Sequence, residues 1–201
     1  MARRPARKSA PQSLSQLRII GGRWRGRKLS FAPVEGLRPT GDRLRETLFN
    51  WLQFQLPEAR CLDLFAGSGA LGLEALSRGA AAVDFVELNR NAAQTLKAQL
   101  DLLQADQGRV HNCSAADFLA RTQSRYDIVF VDPPFAGDLW QQTLAALADH
   151  LADEALVYVE TPRDKPLSLP AGWRVDKEKH AGQVSMHLLR VTADSAEAGC
   201  Q

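Results

Sequence analysis

The chain predicts an open α/β fold, a mostly parallel sheet with helices on both faces. Three observations predict it. Short apolar runs alternate with stretches of helical period, the first run opens into a glycine-rich turn, and the last two runs follow each other with no helix between them. The runs at 61–64, 82–88, 109–113, 127–131 and 155–160 are strand-length and mostly bounded by turn residues, as strands buried on two faces are. Residues 173–180 alternate, turn through Ala181-Gly182-Gln183 and return over 184–191. That hairpin closes a parallel sheet with an antiparallel strand.

Size and charge bound the rest. The chain has 201 residues, enough for one domain with a full core, and its apolar share is that of an ordinary globule. No apolar run is long enough to span a membrane and the basic start is not followed by a signal core, so a cytoplasmic protein is expected. Cys61, Cys113 and Cys200 are too few for a disulfide framework, and His111, His150, His180 and His187 lack metal spacing; neither disulfide nor metal is expected. The net charge of +2 hides a division: residues 1–46 hold 12 Lys/Arg against 3 Asp/Glu, a local +9, and the remainder carries −7. One end is built for a polyanion.

Residues 1–16 lack any hydrophobic period and read as a disordered basic arm, and residues 192–201 as a tail. Residues 17–40 form a basic extension ahead of the main domain at 41–191. Within it, 18–29 reads as two short strands around Gly21-Gly22, with Arg23, Arg25 and Arg27 alternating onto one face beside Lys28. Three arginines and a lysine without an acid suit phosphates, with Trp24 either packed beneath them or stacked on a base. Thr40 can cap a helix over 41–55 whose apolar stripe is Leu44, Leu48, Trp51 and Leu52, with Arg43 off the stripe.

Gly67, Gly69 and Gly72 then satisfy G-x-G-x-x-G at a strand-to-helix turn, where bare backbone meets a ligand and a helix amino terminus points at it. Glu87 ends the next strand twenty residues after Gly67, where an acid grips ribose hydroxyls. Asp117 falls past the third strand, placed either to take an adenine amine with Phe118 against the ring or simply to cap a helix. The fourth run, 127–131, stops at Asp132-Pro133-Pro134-Phe135. Proline cannot donate to a ladder, so Asp132 sits at a strand's carboxyl end, the ligand edge of such sheets, with an aromatic just beyond. A plain Asp-Pro turn is the competing account.

Two enzymes share such a glycine loop: a nicotinamide-dependent dehydrogenase and a methyltransferase using S-adenosyl-L-methionine. Asp63 in the strand before the loop, the closing hairpin and Asp132-Pro133-Pro134-Phe135 favour the second. A non-catalytic RNA-binding assembly factor with a vestigial pocket is a third reading.

The run from Asp63 to Gly72, together with 132–135, resembles class I methyltransferases that modify exocyclic amines. The stretches 18–29 and 36–51 resemble the RsmD family, bacterial 16S ribosomal RNA guanine-N2 methyltransferases, over about residues 17–191; the basic arm departs from that pattern. The resemblance implies seven strands in the order 3-2-1-4-5-7-6 with strand 7 antiparallel, plus the small basic N-terminal hairpin. It implies Asp132, Pro133, Pro134 and Phe135 as the catalytic group. Asp63, Phe65, Ala66, Gly67, Ser68, Gly69, Glu87, Asp117 and Phe118 would form the cofactor site, and Arg23, Arg25, Arg27, Lys28, Arg38 and Arg43 the RNA contacts. The implied partner is 16S ribosomal RNA, in a 30S assembly particle; the residues leave the oligomeric state open, with a monomer favoured, and give no sign of a membrane or metal partner.

Overall fold

The computed structural model describes residues 15–31, 41–133 and 139–191. Strands β1 (Ser15–Arg18) and β2 (Lys28–Phe31) pair antiparallel as a separate two-stranded sheet. The main unit runs α1 (Asp42–Trp51), β3 (Arg60–Asp63), α2 (Ala70–Ser77), β4 (Ala82–Val86), α3 (Arg90–Leu103), β5 (Gly108–His111), α4 (Ala115–Leu119), β6 (Tyr126–Val131), α5 (Leu139–Leu147), β7 (Leu151–Pro162), β8 (Trp173–Ala181) and β9 (Val184–Val191). Its strand order is β5-β4-β3-β6-β7-β9-β8, parallel except where β9 pairs with its two neighbours. Counted from β3, that is the order 3-2-1-4-5-7-6.

Alternation along β6 shows how the two faces divide. Ile128 and Phe130 join Leu48, Phe49, Leu73 and Leu96 on one side, while Val129 and Val131 join Phe118, Trp140, Leu144 and Leu147 on the other. Both sides of the strand are buried, so its sequence is a continuous apolar run. Helix α3 starts where Asn89 caps it, accepting from the Asn91 and Ala92 amides at 2.9 and 3.1 Å. The helix expected over 41–55 ends at Trp51 and finishes as turns to Leu56. Thr40, its expected cap, lies outside the described residues, as do 1–14 of the basic arm and the whole 192–201 tail.

The extension is the expected antiparallel hairpin, but its arginines are placed differently. Arg23, Arg25 and Arg27 do not alternate along a strand; they lie in the connection between β1 and β2, around a 3-10 turn at Gly22–Trp24. The cause is a contact with α2. Glu74, fully buried, accepts the Ile20 and Gly21 amides at 2.8 and 2.7 Å, and Ser77 Oγ donates to the Gly21 carbonyl at 2.6 Å and accepts from the Trp24 amide at 3.0 Å. Backbone groups committed to a helix cannot also serve a ladder. Gly22 has φ +74°, and a Cβ there would stand 1.8 Å from the Ser77 carbonyl oxygen. The glycine pair therefore permits close docking on α2, and Trp24 is packed in the core.

Candidate active site

Asp63 is the last residue of β3, and the chain beyond it turns into α2 through bonds to both neighbouring strands. Leu64 N–H donates to the Phe130 carbonyl at 3.1 Å and Ala66 N–H to the Val86 carbonyl at 2.9 Å. Gly67 and Gly69 hold φ of +54° and +76°, a region L side chains rarely enter, and Gly69 caps α2 without a side chain. Gly72 has a packing role: its Cβ would strike the Phe85 ring at 2.2 Å. The Gly72 amide also donates to Asp63 Oδ2 at 3.0 Å.

That bond only partly offsets the setting of Asp63. Burial pushes its carboxyl up to about 7, against the pull of the Gly72 amide, and the Glu87 charge adds to the rise. A buried acid so placed, beside a helix amino terminus, is ready to hold a cation. Glu87 braces the loop: it accepts the Gly67 amide at 2.7 Å and the Asn89 amide at 2.6 Å. Phe65 and Ser68 are half-buried and Ala66 buried along the same turn. Next to Glu87, Leu88 is 72% exposed, a large apolar side chain at the ligand edge that the sequence reading passed over.

Past β5, Asp117 takes the Ser114 hydroxyl at 2.7 Å while its own amide donates back to Ser114 Oγ at 3.0 Å, capping α4. Phe118 is buried, its ring 4.8 Å from that of His111. Asp132 follows β6 half-buried, and Pro133 is buried. Pro134, Phe135 and Arg38 lie outside the described residues. Beside Asp132, at the end of β7, stands a residue that the sequence reading did not single out as functional. Glu160 is 6% exposed, accepts the Tyr158 hydroxyl at Oε2 (3.0 Å), and its carbonyl accepts Trp140 Nε1 at 2.9 Å. Burial, then the charges of Glu160 and Asp132, push the Tyr158 phenol well above its ordinary range.

The basic residues do not gather at this edge. Arg23, Arg25, Arg27 and Lys28 are exposed, but their loop is tied to Ser77 at the end of α2, and Arg23 Nη2 donates to Gln107 Oε1 at 3.2 Å with its guanidinium 4.0 Å from the Trp24 ring centre. Gln107 immediately precedes β5, so this loop occupies the sheet's amino edge. Helix α2 separates it from the glycine loop by about 12 Å along its axis, at 1.5 Å for each of eight residues. Exposed Arg43 is nearer the ligand edge: α1 runs alongside α2, with Arg45 by Glu74 and Phe49 by Arg78.

A doubly covered sheet with a glycine loop after β3, acids after β3 and β4, an Asp-Pro step after β6 and an antiparallel strand between β7 and β8 is the architecture of class I methyltransferases. Comparisons with known proteins carry this to a family. Residues 17–190 match the model for conserved hypothetical protein 95. Ribosomal RNA small subunit methyltransferase D of Escherichia coli K12 is 53% identical over 178 residues, 87% of this chain and 90% of that protein. The protein of the same name from Haemophilus influenzae is 49% identical over 90% of this chain and 96% of its own length. The solved structure of Escherichia coli yhhF superposes with a TM-score of 0.82 at 52% identity, covering 90% of this chain and all of that one. The chain belongs to this family, the RsmD family of ribosomal RNA methyltransferases. Membership sets aside the dehydrogenase reading. Among the described residues, no helix is long and apolar enough to cross a membrane.

Proposed function

We propose that the chain transfers a methyl group from S-adenosyl-L-methionine to the exocyclic N2 amine of one guanine in 16S ribosomal RNA, within a 30S assembly particle. The observation that carries this is the placement of Asp132-Pro133 directly after β6, the strand next to β3 and its glycine loop. The residues present fit that cofactor. Asp63 is a buried carboxylate for the methionine ammonium, and Gly67 and Gly69, flanked by Phe65, Ala66 and Ser68, present backbone that the cofactor can approach. Glu87 accepts one amide at each oxygen, and an ionised carboxylate has about four lone-pair sites, so ribose hydroxyls bind beside those amides. Asp117 meets the adenine amine, with Phe118 behind it. Bound there, the cofactor supplies a methyl group on a positively charged sulfur and departs as a neutral thioether.

The protein's task is to make a poor nucleophile attack. Guanine's N2 lone pair is delocalised into the purine. Asp132 Oδ and the Pro133 carbonyl accept the amine's two hydrogens, drawing the nitrogen toward a tetrahedral shape with its lone pair toward the methyl. Orientation of this kind is worth roughly 7–11 kcal/mol of a barrier. As the new N–C bond forms and the C–S bond breaks, the nitrogen becomes acidic, and the Asp132 carboxylate takes from it the proton to which it is hydrogen-bonded and passes it to water. Phe135 stacks on the guanine, which is splayed from its neighbours to enter. Arg23, Arg25, Arg27 and Lys28 hold phosphates away from the site, with Arg43 closer to it, and Arg38 adds a further phosphate contact.

Mass spectrometry of 16S ribosomal RNA from cells lacking this gene tests the reading. One N2-methylguanine should disappear and return with the wild-type gene; an unchanged methylation pattern would leave an RNA-binding assembly factor as the better account.

A further inference from the structure

Methyl-transfer chemistry explains Asp132 but leaves open what distinguishes guanine from the other bases, and Glu160 is a buried acid at the same edge with no part in that chemistry. In the β6–β7 pairing Phe130 stands opposite Tyr158 and Val131 opposite Val159. Continued one residue past β6, that register sets Asp132 beside Glu160 on the face of Phe130 and Tyr158, at a strand spacing of about 4.8 Å, and both charges act on the Tyr158 phenol. The Tyr158 hydroxyl at 3.0 Å and the Trp140 indole at 2.9 Å fix the side chain and the backbone of Glu160. An ionised carboxylate has about four lone-pair sites, so one that takes the Tyr158 hydroxyl can accept further hydrogen bonds.

Two neighbouring acceptors match two neighbouring donors. On its Watson–Crick edge guanine alone presents adjacent donors, N1–H and the N2 amine. Adenine sets its amine beside an acceptor nitrogen, cytosine does the same, and uracil has one N–H between two carbonyls. We propose that Glu160 is the specificity residue: its carboxylate accepts the guanine N1 hydrogen while Asp132 accepts a hydrogen of N2. Adenine or cytosine in the same place would aim a lone pair at a buried carboxylate, and unmatched buried polar groups are what make such discrimination steep. Tyr158 acts through Glu160 as a positioning residue. The inference rests on the guanine-N2 reading and deepens it.

The test uses the RNA particle that the wild-type protein methylates, with 2-aminopurine at the target position. That base keeps the N2 amine and lacks the N1 hydrogen. Wild type should methylate it with kcat/KM roughly 100-fold or more below guanine, the scale on which hydrogen-bonding sites reject an unmatched analogue. Glu160→Gln offers an N–H to the bare N1, so guanine turnover should fall, 2-aminopurine turnover rise, and the ratio shift by about the same factor. Tyr158→Phe, which loosens Glu160 without changing it, should narrow the ratio. A wild-type protein indifferent to the N1 hydrogen, or either folded variant keeping the wild-type ratio, overturns the assignment. Absence of any methyl group on guanine N2 with wild type would instead overturn the parent reading, so the two failures are distinct.

Discussion

Asp63 is the residue at which the site's chemistry meets pH. Its carboxyl is pushed up to about 7 in the folded chain, above the ordinary 3.8, so the folded protein holds this proton more tightly than the unfolded one does. Stability contributed by the group is therefore fully present below about pH 4 and lost as pH rises through 7. A cofactor ammonium reverses the preference, because it favours the ionised form. Affinity for S-adenosyl-L-methionine, measured by calorimetry, should strengthen toward a limit of about tenfold per pH unit below 7 and level off above it. Asp63→Asn should bind more weakly with a flat profile between pH 6 and 8; a wild-type profile in that variant would detach Asp63 from the ammonium. The place of Asp63 at a strand end ahead of the glycine loop was legible in the sequence. Glu160 was less so, since its meaning comes from standing beside Asp132 on a strand nearly thirty residues further along.

At the scale of elements, α2 is shared property. Its first turn carries the glycine loop, and Glu74 and Ser77 toward its end hold the basic extension, with Arg78 just past it bonded to Glu74. Arg45 joins them from α1, 1% exposed, donating to the Arg18 carbonyl and Asp42 at 2.8 and 2.7 Å, with Nη1 3.9 Å from Glu74. The sequence reading gave α1 an apolar stripe and left this arginine out. A buried Arg becomes visible only once Glu74 lies opposite, although an acid inside the apolar run Leu71-Gly-Leu-Glu-Ala-Leu76 was a local sign of a buried partner. Gly22→Ala should cost about 2–5 kcal/mol in urea unfolding, combining a left-handed backbone with a clash against Ser77. Gly26→Ala is the control: φ is +83° there with nothing within 4 Å, so only about 1–2 kcal/mol should be lost. Equal losses would mean that the docking on α2 contributes little.

Across the whole molecule, the ligand edge and the arginine loop lie at opposite edges of the sheet, so the account requires RNA to reach both the pocket and the far end of α2. Replacing Arg23, Arg25 and Arg27 together with alanine should weaken RNA binding and reduce the slope of log affinity against log salt by about 2–3. The rate at saturating RNA should hardly change, because these side chains are remote from the transferred methyl; an unaltered salt slope would move the RNA surface elsewhere. Much of the architecture could be read in advance: strand-length runs fixed where the sheet lay, and the helix-free final pair marked its antiparallel closure. The extension could be read as a hairpin but not in its inner course, because only the presence of α2 makes Gly21-Gly22 a docking site.

In this mechanism Asp132 is a fixed acceptor for the reacting amine. The direct measurement is single-turnover methylation beside cofactor binding for Asp132→Ala and Asp132→Asn. Alanine should slow methyl transfer by at least about 100-fold with cofactor affinity within about threefold of wild type, and asparagine, which keeps one acceptor oxygen, should retain measurable turnover. Full turnover by the alanine variant would contradict the account.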